Sequence, residues 1–117
     1  MNQLTNIYKT LSDETRLRIL MLLYQEDLCV CQISGILGAS QPKISKNLSK
    51  LRDMNFVVDT RKDKFVFYAL NKEQSALINT LDGIFTDYEA YPDLIIDRSK
   101  LADKEKYLSA TITDINI

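Results

Sequence analysis

Apolar residues recur with helical spacing through most of the first half of the chain. Between Leu4 and Leu11 they fall at positions i, i+3, i+4 and i+7, which predicts an amphipathic helix. Ser12-Asp13-Glu14 then supplies an N-cap and first-turn acids for a second helix. Because the residues from Leu17 to Leu23 are apolar on most sides of that helix, we predict that it is the central buried one.

Two further helices separated by a short turn follow. The first is predicted over Val30 to Leu37 and ends at Gly38. Ser40 caps the second, and Pro42 lies in its first turn, where a missing N–H costs nothing. Such a pair is a helix-turn-helix, whose second helix can present its polar face to a DNA major groove. The inner stripe of that helix is Ile44, Leu48 and Leu51, and its polar face carries Lys43, Lys46, Asn47 and Lys50.

Two β-rich runs, Phe56 to Thr60 and Phe65 to Leu70, are joined by the charged turn Arg61 to Lys64, which predicts a hairpin, or wing. A last helix is predicted from Glu73 through Tyr88 and is ended by Pro92. The predicted fold class is therefore mainly α with a small β-hairpin, a winged helix-turn-helix in the order α-α-α-α-β-β-α. We divide the chain into a DNA-binding and dimerisation domain, 1–91, and a C-terminal extension without assigned structure, 92–117.

The charge distribution favours a nucleic-acid partner although the net charge is only −1. Residues 41–64 carry seven basic and three acidic side chains, a net charge of +4, while the rest of the chain carries −5. A basic segment in an acidic chain is typical of a small DNA-binding protein, although a solvated helix face would look the same. The chain has no histidine and no glycine-rich phosphate loop, so it lacks the common catalytic motifs and we do not expect an enzyme.

The only two cysteines, Cys29 and Cys31, stand just ahead of the predicted DNA-reading helix. No apolar run is long enough to span a membrane, and Met1 to Leu4 lack the layout of a signal peptide, so we expect a cytoplasmic protein with reduced thiols. Thiolates at this spacing can hold a soft ion such as trivalent arsenic, antimony, cadmium or zinc. They can also act as a redox pair, or simply pack as small apolar residues.

Three blocks of this sequence resemble the ArsR/SmtB family of winged-helix, metal-sensing bacterial repressors. They are Leu11 to Leu20, Asp27 to Ile33 and Ser40 to Leu48, and the last is especially similar to the recognition helix of arsenical-resistance repressors. The resemblance implies a homodimer that binds a palindromic DNA operator and is released when a metal binds. We expect the dimer surface on the N-terminal helix and the helix of residues 73–90; the alternative is that these apolar stripes only fill the monomer core.

The resemblance also implies a metal site at Cys29 and Cys31, but not a complete one. The third cysteine of the family's arsenite-type site is here Ser34, and the family's second, histidine-containing site is absent because the chain has no histidine. Two sulfurs suit a trivalent arsenic or antimony species, and an organic arsenical, which already carries one carbon, best of all. We therefore predict a metalloid inducer and no constitutive cofactor; a redox- or persulfide-responsive repressor using the same cysteines is the alternative.

We also predict how ligand binding reaches the DNA. Because residues i and i+2 of a regular helix do not face each other, one ion would join both sulfurs only by unwinding the start of the helix after Cys29. The distortion would then pass through the turn to the recognition helix.

For DNA binding, Gln41 and Asn47 are predicted to read base edges, since amides bond adenine bidentately. Lys43, Lys46 and Lys50 are predicted to hold phosphates, and Arg61, Lys62 and Lys64 are candidate contacts on the wing. The resemblance implies two further contacts, Ser40 and Ser45, and the alternative for Ser40 is that it only caps its helix. Two rivals remain at this point: a winged helix that binds a protein partner, and a constitutive DNA-binding protein whose sulfurs sense nothing.

Overall fold

The computed structural model describes residues 2–108. Four helices come first, interrupted by one short strand: α1 (Asn2–Leu11), α2 (Glu14–Gln25), β1 (Leu28–Cys29), α3 (Val30–Leu37) and α4 (Gln41–Asp53). The hairpin of β2 (Val57–Lys62) and β3 (Phe65–Leu70) follows, and then α5 (Ser75–Thr86) and α6 (Pro92–Lys100). Short 3-10 turns at Tyr88–Ala90 and Leu101–Asp103 flank α6, and residues 104–108 are again helical.

The hydrophobic core is centred on α2, as its sequence predicted. Five consecutive residues, Ile19 to Leu23, are at most 3% exposed. They are surrounded by buried side chains of α1, α3, α4, the sheet, α5 and α6. The N-cap of α2 is Asp13, whose carboxylate accepts the Arg16 N–H, and not Ser12, whose hydroxyl donates to the Lys9 carbonyl.

The helix-turn-helix has the predicted bounds, and its turn explains why. Gly38 adopts the left-handed conformation (φ 66°, ψ 29°) that only glycine enters at little cost. The N–H groups of Gly38 and Ala39 both donate to the Ser34 carbonyl. Ser40 then caps α4 by accepting the Lys43 N–H, so sequence signals on both sides of the turn agree.

The wing differs from its prediction in two respects. β1 adds a third strand that the sequence analysis did not predict, and the strand order is β1-β3-β2, antiparallel throughout. Arg61 and Lys62, predicted in the turn, are the last residues of β2, so only Asp63 and Lys64 connect the strands. Asp63 is left-handed (φ 56°), which makes so short a connection feasible. The predicted class, mainly α with a small β-sheet, is confirmed.

The C-terminal part also departs from the prediction. The helix predicted from Glu73 to Tyr88 begins at Ser75 and ends at Thr86, and Pro92 begins α6 instead of ending its predecessor. α6 packs on α2, where Leu94 enters the core and the buried Asp97 forms a bidentate ion pair with Arg18, both contacts at 2.8 Å. The division of the chain at residue 91 stays a prediction, and residues 109–117 of the predicted extension lie outside the described residues. Within residues 2–108, no helix is long and apolar enough to cross a bilayer.

Candidate thiol site and nucleic-acid interface

The two thiols meet at the junction between a strand and a helix. Cys29 is the last residue of β1 and the N-cap of α3, with an extended backbone (φ −93°, ψ 169°). Cys31 lies in the first turn of α3, and the two Sγ atoms are 2.7 Å apart. The premise that α3 must unwind before one atom can join both sulfurs is therefore wrong, because Cys29 precedes the helix and its side chain already faces that of Cys31.

The backbone at this junction is fixed by Gln32. Its side-chain oxygen accepts the Cys29 N–H at 3.1 Å, and its amide nitrogen donates to the Lys104 carbonyl at 3.3 Å. Gln32 is 1% exposed, and its bond to Cys29 is buried, whereas its bond to Lys104 is partly buried. Sequence reasoning missed this residue because one of its partners is more than seventy positions away.

Both thiols are buried, and burial determines the charge of Cys29. Cys29 is 2% exposed and Cys31 is 6% exposed. Removal from water, and secondly the hydrogen bond with Cys31, raise the pKa of the Cys29 thiol to about 12. At neutral pH Cys29 is therefore a protonated thiol, and any ligand that bonds to its sulfur must displace the proton.

No third ligand accompanies the two sulfurs among the described residues. The Ser34 hydroxyl, which occupies the third position of the family's site, donates to the Ala39 carbonyl and helps to hold the turn. Within residues 2–108 no cluster of three or more histidine, cysteine or carboxylate side chains is suited to a metal ion. The chemistry offered here is that of two sulfurs beside each other, which suits an acceptor of two As–S or Sb–S bonds better than a tetrahedral ion.

The recognition helix α4 presents the predicted polar face. Ile44, Leu48 and Leu51 are fully buried and fix the rotation of the helix. The opposite side is therefore turned to solvent, and six of the predicted contact residues are exposed there: Ser40, Gln41, Lys43, Ser45, Lys46 and Lys50.

Asn47 lies in a different environment from its neighbours on α4. It is half-buried, its side-chain oxygen accepts Nε of Arg16 at 3.0 Å, and its amide nitrogen donates to the Lys43 carbonyl at 2.9 Å. In this structure the amide groups needed to read a base are thus committed to protein partners. Sequence reasoning missed Arg16, because it lies on α2 and no periodic pattern links it to α4.

The wing carries its three predicted cations around the hairpin tip. Arg61, Lys62 and Lys64 are exposed, and the Lys62 Nζ lies 5.9 Å from the centre of the Phe67 ring. Both cysteines line a cleft of about 300 Å³ that runs between the start of α4 and β3. The thiols, the recognition helix and the wing are therefore neighbours in space, and not only in sequence.

Comparisons with known proteins agree with this architecture. The profile of the bacterial regulatory protein, arsR family, matches residues 13–58. The arsenic resistance transcriptional regulator ArsR1 of Pseudomonas putida is 43% identical over 68 residues, 57% of this chain and 53% of that protein, so the chain spans about half the length of this relative. The biofilm growth-associated repressor of Xylella fastidiosa is 34% identical over 89 residues, 75% of this chain and 78% of the relative.

A solved structure gives the same result for the fold. Reduced HlyU from Vibrio cholerae superimposes with a TM-score of 0.69 at 26% identity, covering 74% of this chain and 90% of HlyU. Both curated relatives are named as regulators of transcription, and neither name is that of an enzyme. The profile match and the 34% identity across most of the Xylella repressor together identify this chain as a member of the ArsR family of bacterial regulatory proteins.

Proposed function

We propose that the chain is a DNA-binding transcriptional repressor that leaves its operator when a trivalent arsenic or antimony species bonds to Cys29 and Cys31. The observation that carries the proposal is the pair of sulfurs 2.7 Å apart, beside both the recognition helix and the wing. The name of the arsenic-resistance relative supports the inducer class, and membership of a family of regulators excludes an enzyme.

The chemistry of the inducer suits a site that contains a protonated thiol, Cys29. When a trivalent arsenic hydroxide condenses with two thiols, two As–O bonds break and two As–S bonds form. Each thiol proton leaves with a hydroxide as water, so no free proton is released and no oxidation state changes. A divalent cation such as cadmium must instead expel the Cys29 proton into solution, against the raised pKa of that thiol.

The DNA side of the proposal is supported by charge and exposure. The exposed face of α4 and the wing tip carry six of the predicted cations, Lys43, Lys46, Lys50, Arg61, Lys62 and Lys64. Lysines at these positions suit phosphate contacts, and Gln41 at the start of α4 suits a base edge. Asn47 is the weakest of the proposed contacts, because it would have to exchange Arg16 for a base.

A homodimer is part of the proposal because one recognition helix reads only half of a palindrome. Leu4 and Tyr8 on α1 are 41% and 59% exposed and lie one helical turn apart, so they form a small apolar patch that a partner could cover. The Gln3 side chain donates to that of Gln74, the N-cap residue of α5, so the start of α1 lies beside the start of α5. We propose these two helices as the dimer surface.

Thiol redox sensing is the second candidate function. The short Sγ–Sγ distance favours it, since a disulfide needs its sulfurs about 2.05 Å apart. The raised pKa of Cys29 opposes it, because the thiolate is the nucleophile in disulfide and persulfide exchange.

The test uses the reduced protein and a DNA duplex that it selects from a random-sequence library. Fluorescence anisotropy of the duplex is followed while arsenite, phenylarsine oxide, cadmium and a persulfide donor are added in separate titrations. We expect the two arsenicals to release the DNA, and the variant carrying both Cys29→Ala and Cys31→Ala to bind DNA as tightly but to ignore them. Ser34→Ala is the matched control and should still respond.

Three results would overturn the proposal. Release of the double alanine variant by arsenicals would show that the sulfurs are not the sensor. Release by the persulfide donor alone would favour the redox function. Failure to select any duplex would remove the DNA partner.

A further inference from the structure

The cleft beside the thiols is larger than an inorganic inducer requires. Its volume is about 300 Å³, at the lower end of the roughly 300–1,000 Å³ of small-molecule sites. An arsenic atom held by two sulfurs keeps one further substituent, and a hydroxide in that place fills about the 30 Å³ of one water molecule. Most of the cleft would then hold only solvent.

The walls of the cleft suit an apolar substituent. Cys29 and Cys31 line it together with three residues of β3: Phe65, Val66 and Tyr68. These three wing residues are all half-buried, so a group resting on them would cover surface that is still partly exposed to water.

Two residues at the mouth connect the cleft with the DNA-binding surface. Gln41, the first residue of α4, and Lys64, at the wing tip, both line it and both are exposed. Each belongs to the proposed DNA contacts. A group that fills the cleft would therefore lie between the two elements that must approach the DNA together.

We propose that this cleft receives the carbon substituent of an organic arsenical, so that the cognate inducer is a monosubstituted trivalent arsenical, R–As(OH)₂, with R apolar. This inference rests on the proposed function and deepens it. In the binding step both As–OH bonds are replaced by As–S bonds to Cys29 and Cys31, and two water molecules leave. The As–C bond is kept, and R occupies the space between Gln41 and the wing.

A bulky side chain placed in the cleft provides the test. Val66→Trp fills the space on β3, whereas Val58→Trp places the same ring on β2 at a residue that does not line the cleft and is 45% exposed. Arsenite and phenylarsine oxide are titrated into each reduced protein by isothermal calorimetry, and separately into its complex with the selected duplex.

For the wild-type protein we expect phenylarsine oxide to bind at least about tenfold more tightly than arsenite, from a gain of about fourfold per buried carbon. Val66→Trp should reduce that preference at least about tenfold and change arsenite binding less than about threefold. Val58→Trp should leave both unchanged. Phe65→Ala removes part of the apolar lining without adding bulk, so it should also lower the preference for phenylarsine oxide over arsenite. This variant replaces Val66→Trp in the test if Val66→Trp does not fold.

The results separate the two proposals. Two results would overturn the cleft as the site of R and leave the thiol-dependent repressor intact. The first is an equal effect of Val66→Trp on the affinities for both arsenicals. The second is an unchanged preference for phenylarsine oxide in both Val66→Trp and Phe65→Ala. If neither arsenical binds the wild-type thiols, the proposed function fails and the cleft proposal fails with it.

Discussion

Cys29 and Phe67 are direct partners in the β1–β3 ladder, which places one of the two thiols within the sheet of the wing. Their neighbours Leu28 and Tyr68 form the other pair of this ladder. A shift of the Cys29 backbone must therefore move β3 or break its only two pairs with β1. This strand is a more direct path from the sulfurs to the DNA-binding surface than a distortion of α3, which the sequence had led us to expect.

The first prediction tests that path. Binding of phenylarsine oxide should shift the backbone amide resonances of Phe67 and Tyr68 by more than those of Asn79 and Asp82 on α5. Only Phe67 and Tyr68 are paired with β1, the strand that contains Cys29. Two-dimensional NMR of the labelled protein without DNA measures this. Shifts confined to α3 and α4 would instead favour transmission from α3 through the turn to α4.

The second prediction concerns the pH dependence of inducer binding. Since Cys29 has a pKa of about 12, it is protonated at pH 6 and at pH 8. Cadmium must displace the Cys29 proton, so its affinity should rise at least about tenfold per pH unit. Phenylarsine oxide releases water in place of free protons, and its affinity should change less than about threefold over the same range. Calorimetry in buffers of different ionisation enthalpy counts the released protons; two protons released by the arsenical would contradict the condensation.

The third prediction is a loss of stability at alkaline pH. The pKa of Cys29 is raised from 9.0 in the unfolded chain to about 12 in the folded one, so above pH 9 the unfolded state holds fewer protons. The free energy of unfolding must then fall as pH rises from 9 towards 12, and the contribution is fully present below pH 9. Tyrosine and lysine also titrate in this range, so the measurement is the difference between wild type and Cys29→Ala in urea at pH 8, 9.5 and 10.5. A difference that does not narrow with pH would mean that the thiol is not desolvated.

How much of this architecture could be predicted depended on the range of the signals. Gly38, Ser40 and the stripe Ile44, Leu48 and Leu51 act within one or two turns, and they gave α3 and α4 their observed bounds. β1 has only two residues, too few to show an alternation of apolar and polar positions. Pro92 is compatible both with the end of one helix and with the first position of the next, and only the packing of α6 on α2 decides between them.

Two of the interactions that sequence reasoning missed in the candidate site are long-range. The bond between Arg16 and Asn47 spans 31 positions, and that between Gln32 and Lys104 spans 72. Each joins helices whose contact is set by the whole core, so no local pattern contains it. The cysteine pair was found because its two members are only two positions apart in sequence, but the contact between their sulfurs depends on the helix beginning at Val30.

The fourth prediction concerns the phosphate role of Lys46. Lys46→Ala should weaken binding to the selected duplex and to an unrelated duplex by the same factor, because a phosphate contact carries no base information. The slope of log K against log salt concentration should become shallower by about 0.9, the value for one phosphate contact. Lys72→Ala, which removes an exposed lysine beyond the end of β3, is the control and should leave the slope unchanged. A loss limited to the selected duplex would instead make Lys46 a reader of bases.

The last prediction tests whether α6 is an integral part of the fold. Asp97 is 2% exposed and receives two hydrogen bonds from Arg18, whose side chain is 25% exposed. Asp97→Asn keeps the shape of the side chain but removes its charge and leaves one buried amide nitrogen facing a cation. Because Arg18 retains some contact with water, we expect a loss of about 2 kcal/mol in the free energy of unfolding, less than for a fully buried pair. Urea unfolding measures this loss, with the exposed Asp103→Asn as the control.

The size of the loss also tests the division at residue 91. A loss below about 0.5 kcal/mol would mean that α6 is only attached to the winged helix, so that the chain consists of two separate units. A single cooperative unfolding transition shifted by the expected amount would instead show that α6 belongs to the same folding unit as α2 and α3.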